Sequence, residues 1–287
     1  MTDQIWQDGT WESADGLSLH YRDYAGPADR PAILCLPGLT RNARDFEPIA
    51  KAFAGQWRVI AVDFRGRGES DYAKDTSTYV PATYVADIAA LFDHAGLDKI
   101  VAVGTSLGGL VSVLLAAHMP ERFAGLVIND IGPVIETAGL DRIREYVGQG
   151  RSFPTWMHAA RALRDSMQDI YPDFTISEWL RVTKRLMAVG QSGRVGYDYD
   201  MRIADPFEAA DGDPVGDMWP FFKAMPDIPK LVLRGELSDI LSAEIAQRMT
   251  QEIAGMEALT IARTGHAPTL DEAEALDAIA ALLGRAH

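Results

Sequence analysis

Short apolar runs rich in Val, Ile and Leu alternate with longer segments of helical periodicity through the first half of the chain. This alternation predicts parallel strands joined by crossover helices. A predicted hairpin over residues 10–13 and 17–24, which turns at Asp15-Gly16, precedes them. The predicted strands are 32–36, 57–62, 100–103 and 126–129, and the predicted helices between them are 45–53, 85–94 and 107–118.

The pattern changes after Pro133. From residue 134 to 218 it is helical and rich in large aromatic side chains, and it contains no β-branched run typical of a strand. We therefore predict a helical insertion at 134–218. Because the segment that follows is too short to fold alone, we predict that 1–133 and 219–287 form one α/β core domain. Its second part should contain strands at 231–233 and 259–262 and helices at 243–253 and 271–283.

Residues 104–108 read Gly-Thr-Ser-Leu-Gly, between a predicted strand and a predicted helix. This is the G-x-S-x-G pattern in the strand–turn–helix context that exposes a nucleophilic serine. The sharp turn strains the central residue, and a glycine on either side removes Cβ atoms that would clash there. Ser106 would lie at a helix N-terminus, whose N–H groups favour a developing negative charge. We predict that Ser106 is the nucleophile; a simple N-cap serine is the alternative.

A serine nucleophile needs a base and a carboxylate that orients the base. His266 is the predicted base, because it lies in a Gly-flanked loop between the last strand and the last helix. Asp239 is the predicted acid, since it lies shortly after a strand and gives the chain order Ser, Asp, His. Two alternatives for the acid remain open. Glu236 is nearer the strand end, and Asp130 ends the strand that follows the nucleophile helix.

The backbone N–H groups of Leu107 and Leu39 are the predicted oxyanion donors. Leu107 directly follows the nucleophile, and Leu39 lies in the loop Leu-Pro-Gly-Leu-Thr at 36–40. Such a pair stabilises the negative charge that develops on a substrate carbonyl oxygen. Gly38 permits the close backbone approach that this requires.

Together with Asp-Phe-Arg-Gly-Arg-Gly-Glu-Ser-Asp at 63–71 and Arg-Gly-Glu-Leu-Ser-Asp at 234–239, these motifs resemble the α/β-hydrolase superfamily. The resemblance is to its lid-bearing branch of serine esterases and lactonases, and it covers nearly the whole chain outside the insertion. It implies an α/β-hydrolase fold, an eight-stranded and mostly parallel sheet flanked by helices, with a helical cap inserted after the sixth strand. It also implies that an ester or lactone of a small, largely apolar substrate is cleaved through an acyl-enzyme, without a metal or organic cofactor.

Two other functions stay open. A C–C bond hydrolase of the meta-cleavage type would share the triad and the lid, and a small-molecule binding protein could keep the triad and use the pocket for recognition. Apolar residues of the cap are expected to line the substrate pocket in each case. The candidates are Trp156, Met157, Tyr171 and Trp179.

Composition narrows the expected partners. The 287 residues include 41 Asp and Glu against 27 Lys and Arg, a formal net charge of −14. Such a field repels phosphate backbones and anionic headgroups, so neither nucleic acid nor a membrane is an expected partner. The N-terminus lacks a signal-peptide pattern, and no stretch approaches the ~20 apolar residues of a membrane span. We expect a cytoplasmic monomer or homodimer that acts on a small molecule.

Overall fold

The computed structural model describes residues 5–209 and 216–287. Eleven strands are present in this part of the chain, and all but three short ones belong to one large sheet. In chain order they are β1 (Gln7–Glu12), β2 (Ser18–Tyr24), β3 (Ala32–Leu36), β4 (Val59–Asp63), β5 (Ile100–Thr105), β6 (Phe123–Asn129), β7 (Ser152–Phe153), β8 (Met187–Val189), β9 (Val195–Tyr197), β10 (Lys230–Gly235) and β11 (Met256–Ile261).

The large sheet has eight strands in the order β1-β2-β4-β3-β5-β6-β10-β11. β2 pairs antiparallel with β1 and β4, and every other pairing is parallel. The central strands β3, β4 and β6 are buried along their whole length, as strands covered on both faces must be. The predicted eight-stranded, mostly parallel sheet is confirmed.

Helices cover both faces of this sheet. The helices of the described residues are α1 (Glu47–Phe53), α2 (Pro81–His94), α3 (Leu107–His118), α4 (Thr137–Tyr146), α5 (Trp156–Met167), α6 (Ile176–Leu186), α7 (Ala204–Ala209), α8 (Trp219–Ala224), α9 (Ala243–Glu252) and α10 (Ala273–Leu283), of which α4 to α7 belong to the insertion after β6. Along β3, Leu34 and Leu36 pack in a core with α2, α3, α8 and α9, whereas Ile33 and Cys35 pack in a second core with α1 and α10. The alternation of side chains along a strand therefore supplies both layers.

The insertion follows β6, the sixth strand, as predicted, but it is not purely helical. Besides α4 to α7 it contains the short strands β7, β8 and β9, which form an antiparallel sheet in the order β7-β9-β8. Each is only two or three residues long, so none gives the longer β-branched run by which a strand is recognised in sequence. Residues 210–215 of the predicted cap at 134–218 lie outside the described residues.

Backbone and side-chain hydrogen bonds fasten the cap to the core. The N–H of Gly68 donates to the carbonyl of Asp198 over 3.1 Å, and the N–H of Asp200 donates to that of Gly66 over 2.7 Å. The buried Arg185 of α6 pairs with Asp271, which precedes α10, at 2.9 Å. Within the described residues, no helix has both the length and the apolar character needed to cross a membrane.

Candidate active site

Ser106 occupies the sharp turn between β5 and α3. Its backbone has φ 52° and ψ −116°, a conformation that L-residues rarely adopt. A Cβ on Gly104 would lie 2.4 Å from the carbonyl oxygen of Gly108, and a Cβ on Gly108 would lie 2.0 Å from that of Leu36. Only glycine fits at either position, which explains why the sequence brackets the serine in this way.

His266 lies in the loop between β11 and α10, and its side chain is only 9% exposed. Its Nε2 is 3.0 Å from Ser106 Oγ, although the two residues are 160 positions apart in the chain. Parallel strands place their carboxyl ends at one edge of the sheet, and this edge brings the two loops together. In this geometry the imidazole can accept the serine proton.

The cap holds the loop that carries His266. The N–H of Gly265 donates to the carbonyl of Ile170 over 2.8 Å, and the Tyr171 hydroxyl donates to the carbonyl of Ala267 over 2.7 Å. The residues on both sides of the histidine are therefore fixed by the connection between α5 and α6. The cap therefore helps to position the imidazole.

The other imidazole nitrogen faces Asp130. His266 Nδ1 lies 2.8 Å from Asp130 Oδ2. The carboxylate is fully buried just after β6, and it also accepts hydrogen bonds from the Gly235 N–H at 2.8 Å and the Ser238 hydroxyl at 2.6 Å. A buried carboxylate with this many donors is held in one orientation. Asp130 therefore fixes the direction of the imidazole.

The prediction that Asp239 orients His266 is wrong. Arg142 of α4 engages the Asp239 carboxylate through Nε and Nη2, the latter at 2.8 Å. Burial alone would raise the pKa of Asp239, but the Arg142 guanidinium holds it below its ordinary value. The alternative Glu236 does not meet the histidine either, because its carboxylate accepts the Arg263 N–H at 2.7 Å.

The two predicted oxyanion donors, Leu107 and Leu39, belong to segments that lie beside the serine. Leu107 is the first residue of α3, so its N–H has no intrahelical acceptor. Leu39 lines the cavity in front of Ser106, and a Cβ on the preceding Gly38 would lie 3.7 Å from the Ser106 Cβ. The buried Arg67 donates from Nε to the Leu39 carbonyl over 2.9 Å and so fixes this loop from behind. The role of Leu39 and Leu107 as oxyanion donors stays a prediction.

Ser106 and His266 open onto a cavity of about 310 Å³ between the core and the cap. Its apolar wall comes mainly from the cap and includes Ile143, Leu163, Met167, Ile170 and Leu186. Residues 5–209 and 216–287 contain no group of three or more His, Cys, Asp or Glu side chains that could hold a metal ion.

Of the four cap residues predicted to line the pocket, only Tyr171 does so. The prediction is wrong for the other three. Trp179 is buried in the hydrophobic core of the cap, with its ring centroid 5.9 Å from that of Tyr171. Trp156 packs against the same core, and Met157 faces outward with 38% exposure. Aromatic residues of a small domain are needed first for its own core.

Comparison with known proteins agrees with this architecture. Residues 31–173 match the family described as alpha/beta hydrolase fold. The chain is 30% identical over 256 residues to the 3-hydroxybutyrate-oligomer hydrolase of Cupriavidus necator, and the match covers 87% of each protein. The chain belongs to the α/β-hydrolase superfamily. This α/β hydrolase is also 30% identical over 216 residues to the 2-(acetamidomethylene)succinate hydrolase of Mesorhizobium japonicum, with 74% of this chain and 73% of the relative covered.

A solved structure shows the same fold over nearly the whole length. The crystal structure of an α/β hydrolase from Novosphingobium aromaticivorans is similar to this α/β hydrolase with a TM-score of 0.94 and 56% identity. The match covers 98% of this chain and 99% of the other. The cap and the core of this α/β hydrolase therefore have a counterpart in a crystal structure.

Proposed function

We propose that this α/β hydrolase cleaves a carboxylic ester or lactone through an acyl-enzyme formed on Ser106. One observation carries the proposal. Two hydrogen bonds in series, of 3.0 and 2.8 Å, join Ser106 Oγ to His266 and His266 to Asp130. This series supports the roles of nucleophile, base and orienting acid for Ser106, His266 and Asp130, in place of the Asp239 that was predicted first.

In acylation each of these groups has one role. Ser106 Oγ attacks the substrate carbonyl carbon while its proton passes to His266 Nε2. The electron pair of the carbonyl moves to its oxygen, which the N–H groups of Leu39 and Leu107 stabilise. Asp130 stabilises the imidazolium through Nδ1–H. The tetrahedral intermediate collapses to the acyl-enzyme, and the alcohol leaves with the proton from His266.

Deacylation repeats these steps with water. His266 removes a proton from a water molecule, whose oxygen attacks the acyl carbon, and the same two N–H groups hold the oxyanion. Collapse returns the proton to Ser106 Oγ and releases the carboxylic acid. In a lactone the alcohol and the acid belong to one molecule, so both functional groups leave together at this step.

The names of the relatives support hydrolysis, and they give information on the kind of bond that is cleaved. Oligomers of 3-hydroxybutyrate are joined by ester bonds, so the name of the Cupriavidus necator relative supports an ester substrate. The name of the Mesorhizobium japonicum relative specifies a substrate that is not an ester oligomer. Because the two relatives differ in substrate, the assay should include a compound that is not an ester. A vinylogous diketone, the substrate type of meta-cleavage hydrolases, tests the alternative of C–C bond cleavage.

The test compares two serines of one cavity. Ser106→Ala should lower kcat for 4-nitrophenyl butyrate by roughly 10⁴-fold or more. Ser166 lines the same cavity, with its hydroxyl bonded to the Leu163 carbonyl, and Ser166→Ala should retain activity. Turnover by Ser106→Ala near that of the unchanged protein would overturn the proposal. Stoichiometric binding without turnover would indicate a binding protein, and turnover of the diketone alone would indicate a C–C hydrolase.

A further inference from the structure

One wall of the cavity is formed by hydrogen-bond donors rather than by apolar groups. Three arginines and two tyrosines line it together: Arg41, Arg142, Tyr146, Arg151 and Tyr197. Burial raises the pKa of the Tyr146 hydroxyl, and both Arg142 and Arg41 act on it in the opposite sense. Arg151 and Arg41 act in the same way on Tyr197. These five side chains therefore form one cluster, here called the cationic subsite.

The carboxylates next to the subsite accept hydrogen bonds from only some of the N–H donors of its arginines. Asp45 takes Nε and Nη2 of Arg41, and Asp239 takes Nε and Nη2 of Arg142. The Nη1 atoms of both arginines have no acceptor in the described part of the chain. The exposure and pairing of Arg151 and Glu145 complete the description of the charges in the lining. Arg151 forms no ion pair with any described residue. Arg151, Tyr146 and Glu145, the remaining acidic residue of the lining, are all exposed at the rim of the subsite.

The two tyrosines add neutral donors to the same wall. Neither the Tyr146 nor the Tyr197 hydroxyl has a hydrogen-bond partner among residues 5–209 and 216–287. A phenol hydroxyl and a guanidinium are both donors to an anionic oxygen, and the planar guanidinium fits the two oxygens of a carboxylate. The wall therefore offers several donors to a ligand and few acceptors.

The subsite begins next to the reacting serine. The position that a Cβ on Gly38 would take lies 3.3 Å from Arg41 Cγ and 3.7 Å from Ser106 Cβ. The stem of Arg41 thus starts beside the nucleophile, and its guanidinium extends toward the cap. A carboxylate bound by Arg41 would therefore be close enough to Ser106 to belong to the same small molecule as the carbonyl that Ser106 attacks.

We propose that the cationic subsite binds a free carboxylate of the substrate, so that the preferred substrates are esters of small molecules that retain a carboxylic acid. The inference rests on the proposed ester hydrolysis and narrows its substrate class. The chain as a whole has a formal charge of −14, which disfavours anions in general. The preference for a carboxylate must therefore come from these local donors.

Two matched pairs of esters test the subsite. In the first, the mono-4-nitrophenyl ester of glutaric acid is compared with its methyl ester, which places the charge on the acyl side. In the second, 3-acetoxybutyrate is compared with methyl 3-acetoxybutyrate, which places it on the alcohol side. The charged member of at least one pair should have a kcat/KM about tenfold higher or more, as hydrogen bonds to a charged group imply.

Arginine substitutions assign the effect to the subsite. Arg151→Gln should lower kcat/KM for the favoured charged ester about tenfold more than for its neutral partner. Arg144→Gln is the matched control, because Arg144 is on α4 near Arg142 but pairs with Asp141 outside the cavity. The control should leave the ratio within each pair unchanged.

The outcomes separate the subsite from the reaction. Equal or faster hydrolysis of the neutral member in both pairs overturns the subsite, as does an Arg151→Gln effect of the same size on both members. If no ester of either pair is hydrolysed by the unchanged protein, the proposed function itself fails. Hydrolysis without a preference for the charged member refutes only the carboxylate inference.

Discussion

Arg67 donates a hydrogen bond of 2.9 Å from Nε to the carbonyl oxygen of Leu39, in the loop that lies beside Ser106. The arginine is fully buried and also donates to the Arg65 carbonyl at 2.6 Å and the Tyr84 hydroxyl at 3.0 Å. Its guanidinium lies over the Tyr84 ring, 4.9 Å from the centroid. A side chain so constrained fixes the loop to which it is bonded.

Arg67→Lys should therefore impair the chemical step rather than substrate binding. Lysine keeps the charge but cannot reach the three acceptors with one planar group. We expect kcat to fall about tenfold to a hundredfold, with KM changed less than about threefold, because an oxyanion donor acts mainly in the transition state. Arg58→Lys is the control, since Arg58 binds Asp23 and the Ala95 carbonyl outside the cavity. A kcat for Arg67→Lys equal to that of Arg58→Lys would refute the positioning role.

The two candidate acids can be told apart by isosteric substitution. Asp130→Asn should lower kcat about 10⁴-fold, because an amide next to His266 Nδ1 favours the wrong imidazole tautomer. Asp239→Asn weakens the pair with Arg142 and should cost far less on a neutral ester. Steady-state kinetics with 4-nitrophenyl butyrate give both numbers. A larger loss for Asp239→Asn than for Asp130→Asn would contradict the assignment.

His20 of β2 joins two carboxylates near the loop that carries Arg67. Its Nδ1 lies 2.7 Å from Asp63, and its Nε2 lies 3.0 Å from Asp8. Burial alone would lower the pKa of His20, but the two carboxylates, Asp63 above all, raise it above its ordinary value of 6.5. The folded state therefore holds this proton more tightly than the unfolded state does.

The free energy of unfolding should reflect this linkage. The contribution of protonated His20 is fully present below about pH 6.5, and it is lost as the pH rises through the raised folded pKa. His20→Gln should cost about 1–3 kcal/mol at pH 5.5 and less at pH 9. Urea unfolding of both proteins over this range measures the difference. A difference that stays constant with pH, or that grows as the pH rises, would contradict the protonated state.

The glycines around Ser106 should be intolerant of any side chain. In Gly108→Ala the new Cβ would meet the Leu36 carbonyl oxygen, which belongs to the backbone of a central strand and cannot move aside. We expect a loss of about 3 kcal/mol or more in the free energy of unfolding. Gly190→Ala is the control, because its Cβ would be 3.7 Å from the nearest atom, an ordinary contact. Equal stability of the two variants would show that the elbow is looser than described.

Local sequence patterns predicted the fold because their causes are local. Short apolar runs rich in Val, Ile and Leu predicted the central strands. The glycines at 104 and 108 stand where a Cβ would collide with the backbone of a neighbouring segment. The loop that carries His266 was found because a reactive histidine needs a strand end and a turn. The structure brings this histidine to Ser106, and their catalytic roles remain predictions for the experiments above.

The identity of the orienting acid and of the pocket residues depends on long-range contacts that the sequence does not reveal. Asp130 and Asp239 both follow strands at the same sheet edge. Asp130 faces His266, whereas Asp239 pairs with Arg142, 97 positions earlier in the chain. An arginine in a distant helix gives no local signal of such a partner. The sequence around the cap tryptophans likewise does not indicate whether they line the cavity or belong to the core of the cap. Trp179 lies in that core.

The mass of the Ser106 peptide during turnover shows whether an acyl-enzyme forms on this residue. The protein is mixed with excess 4-nitrophenyl butyrate, quenched in acid within milliseconds to seconds, digested and analysed by mass spectrometry. If an acyl-enzyme forms, Ser106 will carry a butyryl group, formed together with a burst of one equivalent of 4-nitrophenol or less per chain, and this group will be absent in Ser106→Ala. Turnover with an unmodified Ser106 peptide at every quench time and no burst, or a butyryl group on a different residue, would contradict the proposed mechanism.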